Sequence, residues 1–103
     1  MITVTEDNYK TEVENSDSLT VIDFWASWCG PCKMLSPIME SLSNEISDVK
    51  FCKVNVDEQQ ALAAKFGIMS IPTLVFMLDG NVIDTLVGYR TKEEITQIIE
   101  EYK

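Results

Sequence analysis

Two of the three cysteines, Cys29 and Cys32, stand three residues apart with Gly30 and Pro31 between them, in a chain that has no histidine. A pair at this spacing can staple the fold, hold a metal or do redox chemistry. As a staple it is weak, because so small a loop barely restricts the unfolded chain. As zinc ligands it is half a site. A structural centre wants four ligands, and the remaining cysteine, Cys52, lies twenty residues on in KFCKVNVD. The absence of histidine also excludes a Ser-His-Asp triad, a Cys-His dyad and His-ligated zinc.

Redox chemistry fits the placement. The pair follows an apolar run, Leu19–Ala26, and opens an amphipathic one, Pro31–Ile46. On a helix, residues three apart share a face with Cβ atoms about 5–6 Å apart, near bonding range. Cys29 at a helix N-terminus meets free amide donors and the positive end of the dipole, both of which favour a thiolate. Pro31 sits in the first turn, where its missing N–H costs nothing. Gly30 leaves the Cys29 sulfur open to approach.

The elements needed to position this pair can be read along the chain. Ile2–Val4 suits a short strand, and Thr5 caps a helix to about Val13 with Glu6 and Asp7 in its first turn. Leu19–Ala26 reads as a strand covered on both faces. Met34, Leu35, Ile38, Leu42 and Ile46 form the apolar stripe of the next helix, which Pro37 should kink. Val49–Val56 is a second strand. Asp57 with Gln60 reads as a capping box for a short helix to Phe66, closed by Gly67. Thr73–Leu78 and Val82–Val87 are strands joined by the hairpin signal Asp79-Gly80. Thr91 with Glu94 caps a last helix bearing Ile95, Ile98, Ile99 and Tyr102. The order β-α-β-α-β-α-β-β-α predicts an α/β fold, with parallel pairing in the early units and an antiparallel hairpin at the edge.

The run Trp28-Cys29-Gly30-Pro31-Cys32-Lys33 resembles the active-site hexapeptide of the thioredoxin family. The resemblance covers almost the whole chain: Val21–Ala26 before the pair, Met34–Pro37 after it, Ile71-Pro72-Thr73, the Gly80 hairpin and Val87-Gly88. It implies a thioredoxin fold over residues 1–103, with a central mixed sheet of about five strands flanked by about four helices on both faces. It further implies a dithiol–disulfide oxidoreductase acting through a Cys29–Cys32 disulfide, with disulfide-containing proteins as substrates. A thioredoxin reductase, flavin- and NADPH-dependent or ferredoxin-dependent, would return the electrons. No cofactor is expected in the chain itself, since it lacks a glycine-rich phosphate loop.

Asp23 is the anomaly of the apolar strand. Flanked by Ile22 and Phe24, it is expected to be buried with a raised pKa. The resemblance implies that it helps deprotonate Cys32. Lys53 reads either as a stem reaching solvent or, by the resemblance, as a charge that tunes Asp23. Base rates alone make Ile71–Pro72 trans; the resemblance implies a cis-proline loop facing the cysteines. Trp28, Gly30, Pro31, Met69, Ser70, Ile71, Pro72, Val87, Gly88 and Tyr89 would then rim an apolar docking patch. Ser70 stands where relatives often carry glycine, and Tyr89 where a small residue is common. Cys52 reads as core and Trp25 as packing.

Two rivals stand beside this reading. A disulfide oxidase or isomerase of the same fold would tend to carry histidine where Pro31 stands. A redox-silent assembly module would keep its function with both cysteines changed to serine. The bulk numbers narrow the field further. A chain of 103 residues, 46% hydrophobic and 24% charged, fits one globular domain that needs no staple. A net charge of −9 repels phosphate backbones, so no nucleic-acid partner is expected. No signal peptide or membrane-length apolar run is visible, so a cytoplasmic, monomeric protein without a membrane partner is the expectation.

Overall fold

A computed structural model describes residues Met1–Lys103. Five strands, β1 (Ile2–Thr3), β2 (Thr20–Trp25), β3 (Lys50–Asn55), β4 (Thr73–Leu78) and β5 (Asn81–Val87), form one sheet in the order β1-β3-β2-β4-β5. Three α-helices, α1 (Gly30–Glu45), α2 (Gln60–Lys65) and α3 (Lys92–Tyr102), and one π-helical turn, Lys10–Glu14, flank it.

β1, β3 and β2 pair in parallel, whereas β4 pairs antiparallel to both β2 and β5. The reversal therefore begins at β4, one strand earlier than the hairpin alone suggests. β4 starts at the end of the sheet where β2 and β3 stop, with Thr73 opposite Phe24, and runs back from there.

Strand alternation divides the core into two layers. Val21, Phe51, Leu74 and Phe76 face α1 and α3, meeting Leu35, Met39, Leu42, Ile95 and Ile99. Ile22, Phe24, Cys52, Val54, Val75 and Met77 face the other side, with Val4, Tyr9, Val13 and Leu62. Phe66 closes this second layer, its ring centroid 5.3 Å from that of Phe24 and 5.9 Å from that of Tyr9.

Three local expectations change. The first helix is not α-helical to its end. Thr5 does not cap it: the Asn8 N–H donates to Thr5 Oγ1 and the Thr5 N–H to Asn8 Oδ1 in the turn before it, and the helical segment starts after Tyr9 with no side-chain cap. Further on, the Asn15 N–H reaches back five residues to the Lys10 carbonyl. The Glu12 carbonyl, which an α-helix would offer to Ser16, instead accepts from Lys50 Nζ at 2.9 Å, and the turn widens. In α1 the buried stripe is Cys32, Leu35, Met39 and Leu42. Met34 lies 61% exposed, because one helical residue turns the chain by about 100° away from Leu35. Ile46 caps α1 and still packs, partly buried, against the core layer with Ile38. At α2, Asp57 and Gln60 form no capping box. The cap residue is Gln59, and Asn55 Oδ1 accepts the N–H groups of Asp57 and Glu58.

Other local chemistry is as the residues dictate. Asp79 (φ 52°) and Gly80 (φ 79°) both take left-handed backbone at the hairpin, as a tight two-residue turn requires. A Cβ on Gly80 would lie 3.0 Å from the Glu14 carbonyl oxygen. Thr91 and Glu94 complete a capping box on α3.

Candidate active site

β2 ends at Trp25 and α1 begins at Gly30, so the cysteine pair sits on the turn between sheet and helix. The Cys29 N–H donates to the Ala26 carbonyl at 3.2 Å, which folds the turn back on itself. Cys29 is the N-cap of α1 with extended backbone, and Pro31 occupies the first turn. Cys29 and Cys32 form a disulfide across a Cα separation of 5.2 Å. The Cys32 N–H donates to Cys29 Sγ at 3.2 Å. A sulfur at a helix start that already accepts an amide is well placed to carry negative charge when reduced.

A second segment closes on the same sulfur. The Ile71 carbonyl oxygen lies 3.9 Å from Cys29 Sγ, and the Ile71–Pro72 peptide bond is cis. Thr73 Oγ1 donates to the Ser70 carbonyl at 2.6 Å, and the Gly88 N–H donates to the Pro72 carbonyl at 2.8 Å. These two bonds tie the loop to its own strand and to the end of β5. Gly88 reaches its position with φ 94°, open to glycine at no steric cost.

Beside the pair runs an apolar cleft of about 170 Å³ lined by Trp28, Val56, Ile68, Met69, Ser70 and Ile71. Trp28 is 69% and Met69 95% exposed. Gly30 and Pro31 lie exposed on the helix start, and Val87 and Tyr89 are exposed around Gly88, outside the cleft itself. Val56 and Ile68 in the cleft wall and Asp57 at its rim are neighbours of the pair that sequence reasoning did not name. Asp57 Oδ2 accepts from Trp28 Nε1 at 2.9 Å and fixes the indole. The signal was available: an indole N–H held beside an apolar cleft wants an acceptor.

Behind the pair lies a different environment. Asp23 and Lys53 are register partners on adjacent strands, on the face covered by α1. Asp23, Cys32 and Lys53 line a cavity of about 260 Å³ together with Trp25, Lys33 and Met1. Asp23 is 3% exposed, and its Oδ1 has no hydrogen-bond partner. Burial pushes its carboxyl up to about 7, with the Lys53 ammonium pulling the other way. Trp25 Nε1 is likewise buried without a partner. Cys52 is fully buried on the opposite face, where burial pushes its thiol up to about 12. No three cysteine, aspartate or glutamate side chains gather to hold a metal ion. No helix is long and apolar enough to cross a membrane.

A mixed five-stranded sheet that carries a cysteine pair on a helix start, faced by a cis-proline loop, defines a dithiol–disulfide exchange protein. Comparison with known proteins agrees. The family model described as thioredoxin matches residues 1–101. The chain is 46% identical over 92 residues to a thioredoxin of Listeria monocytogenes, covering 88% of this chain and 89% of that protein. It is 46% identical over 90 residues to a thioredoxin of Bacillus subtilis, covering 86% of each. It is 40% identical over 103 residues to a thioredoxin of Staphylococcus saprophyticus, covering 99% of this chain and 97% of that protein. The chain belongs to the thioredoxin family. Its activity is thiol–disulfide oxidoreduction through the Cys29–Cys32 pair. Membership implies two kinds of partner in general, a reductase and proteins that carry disulfides.

Proposed function

We propose that the protein works mainly as a general reductant of protein disulfides, with Cys29 as nucleophile and Cys32 as resolving thiol. The observation that carries this assignment is the asymmetry of the pair. Cys29 caps the helix and accepts an amide, while Cys32 faces inward onto the cavity of Asp23. The Cys29 thiolate attacks a substrate disulfide, forming one new S–S bond and expelling one substrate thiolate. Asp23 takes the Cys32 proton. The Cys32 thiolate then attacks Cys29 Sγ, breaking the mixed disulfide and releasing the second substrate thiol. Two electrons have moved to the substrate, and the Cys29–Cys32 disulfide remains for a thioredoxin reductase to reduce. Lys53 favours the ionised form of Asp23 and so tunes the transfer.

Trp28, Gly30, Pro31, Met69, Ser70, Ile71, Pro72, Val87, Gly88 and Tyr89 form the docking rim in this reading. Its apolar, exposed members suit an extended substrate strand lying along the proline loop. Residues 1–103 act as one domain, supported by a single sheet with continuous core layers on both faces. The protein acts as a cytoplasmic monomer without nucleic acid, in keeping with a net charge of −9.

Trapping tests the assignment. Cys32→Ser should accumulate mixed disulfides through Cys29, whereas Cys29→Ser should accumulate none. Equal trapping by both variants would overturn it.

A further inference from the structure

We propose that Arg90 extends the docking rim and selects among protein disulfides: its guanidinium favours substrates that carry a carboxylate about two or three residues from the cysteine that Cys29 attacks. The inference rests on the roles of the rim and of Cys29 given above.

Strand register fixes where Arg90 stands. Trp25 pairs with Asn55 at the ends of β2 and β3, Thr73 opposes Phe24 at the start of β4, and Val87 opposes Thr73 at the end of β5. Four segments therefore meet at this one end of the sheet. In strand order they are Asp57 beyond β3, Cys29 beyond β2, Ile71-Pro72 before β4 and residues 88–90 beyond β5. From the line of β2 to that of β5 is two strand spacings, about 10 Å, the length of about three extended residues. A substrate strand whose cysteine meets Cys29 thus has a near neighbour at Arg90. The side chain of Arg90 turns back towards the rim, with Nη2 donating to the Val87 carbonyl at 3.3 Å. Val87 and Tyr89 are exposed and Arg90 is half-buried, so the guanidinium is held beside them.

Arg90 is the single arginine among the eight cations of the chain. The other seven are engaged or lie elsewhere. Lys50, Lys92 and Lys103 pair with Glu12, Glu45 and Asp48. Lys65 lies over the Tyr9 ring. Lys33 and Lys53 line the cavity behind the cysteine pair, and Lys10 is on the π-helical turn. Arg90 forms no ion pair. Hydrogen bonds from Thr91, and after them the Arg90 charge, hold the Glu94 carboxyl below the ordinary range. Glu94 Oε1, however, is taken by the Thr91 N–H and hydroxyl. Beyond its bond to Val87, the guanidinium keeps a planar fork of N–H donors that suits a carboxylate. The chain as a whole, at a net charge of −9, repels acidic segments. A fixed cation on the rim offsets that repulsion for a segment in the right register. At the other end of the rim, three strand spacings or about 14 Å away, the Asp57 carboxylate stands beside Trp28. The rim is therefore polarised across the cysteine pair.

Four short peptides test the inference, each with one cysteine held in a mixed disulfide with neutral thiopyridine. Two carry glutamates at the second and third positions before or after the cysteine, and two carry lysines at the same places. The Cys29 thiolate of the reduced protein attacks the peptide sulfur and expels thiopyridine, whose absorbance gives the rate. Cys32 then attacks Cys29 Sγ and releases the peptide thiol. On one flank the glutamate peptide should react about fivefold faster than its lysine twin. The two rates should become about equal in Arg90→Gln, and in the unaltered protein at high salt. Arg90→Lys, which keeps the charge without the fork, should retain the preference in reduced size. Equal rates on both flanks in the unaltered protein would overturn the inference, as would a preference that survives Arg90→Gln. Each ratio compares two substrates on one protein, so a defect common to both cancels. The nucleophile assignment stands or falls separately, on the trapping by Cys32→Ser and Cys29→Ser.

Discussion

The three cysteines occupy two environments that chemistry treats oppositely. Cys29 and Cys32 sit at the start of α1, nearly buried, where Cys29 Sγ accepts an amide and lies against the Ile71 carbonyl of the loop that lines the apolar cleft. Cys52 sits in the middle of β3, fully buried among apolar side chains, with its thiol pushed up to about 12. The residue type is the same. What differs is the local dipole, the free amide at the helix start and the depth within the sheet, and these decide which sulfur reacts. A strand interior offers Cys52 no free amide, since the ladder consumes them all. A helix start has amides to spare.

The contrast is most exposed to failure when each sulfur is removed. Cys29→Ser should abolish reduction of a chromogenic disulfide, a loss of about a thousandfold or more for a missing nucleophile. Cys52→Ala should leave the same rate within about twofold, since Cys52 lies outside the electron path. A Cys52 variant that lost activity without unfolding would end the distinction.

Asp23 sharpens it by showing what burial costs. Its folded pKa of about 7 stands above the ordinary value of 3.8. Below about pH 4 the carboxyl is neutral in both folded and unfolded chains and costs nothing. As pH rises from about 4 to 7 the unfolded chain ionises first, so stability falls, and above about 7 the full penalty persists. About three pH units correspond to about 4 kcal/mol as an upper figure. Asp23→Asn should therefore stabilise the protein at pH 8, with the gain vanishing near pH 4, as read by denaturant melts at both values. The same variant should slow mixed-disulfide resolution near neutrality by about a hundredfold. A stability gain that did not depend on pH would show that titration of Asp23 is not its source.

Smaller effects bear on the surroundings. Cys52→Ala should cost about 1 kcal/mol by leaving a small void in the second core layer, visible as an earlier denaturant midpoint. Asp57→Ala should release the Trp28 indole. Both residues lie at the surface, so the expected change is modest, about a threefold rise in KM for a protein disulfide with kcat held. A change in kcat alone would move Asp57 from docking to chemistry.

Much of this was legible in the chain. The cysteine pair, the strand runs Leu19–Ala26 and Val49–Val56, the Asp79-Gly80 turn and the Thr91–Glu94 box all announce themselves through neighbours within a few residues. Two of the misreadings share a cause. Asn55, not Asp57, organises the entry to α2, because Asn55 Oδ1 sits where two free amides converge. The first helix widens because Lys50, from a distant strand, takes the Glu12 carbonyl. In both cases a competing partner, not the local propensity, set the outcome. Met34 is different: it turns outward by helix geometry alone, one residue from the buried Leu35.

Sequence by itself determined the redox pair, its place on a helix start and the alternation of elements that carries it, because these depend on spacing and on bonds within a turn or two. It also marked Asp23 as out of place in an apolar strand. Tertiary structure alone decided what surrounds them. It set the antiparallel run of β4, brought the Ile71 carbonyl to Cys29 across 42 residues of chain, and paired Asp23 with Lys53 across the sheet. Such contacts follow from strand register and packing of both core layers at once, which no local pattern encodes.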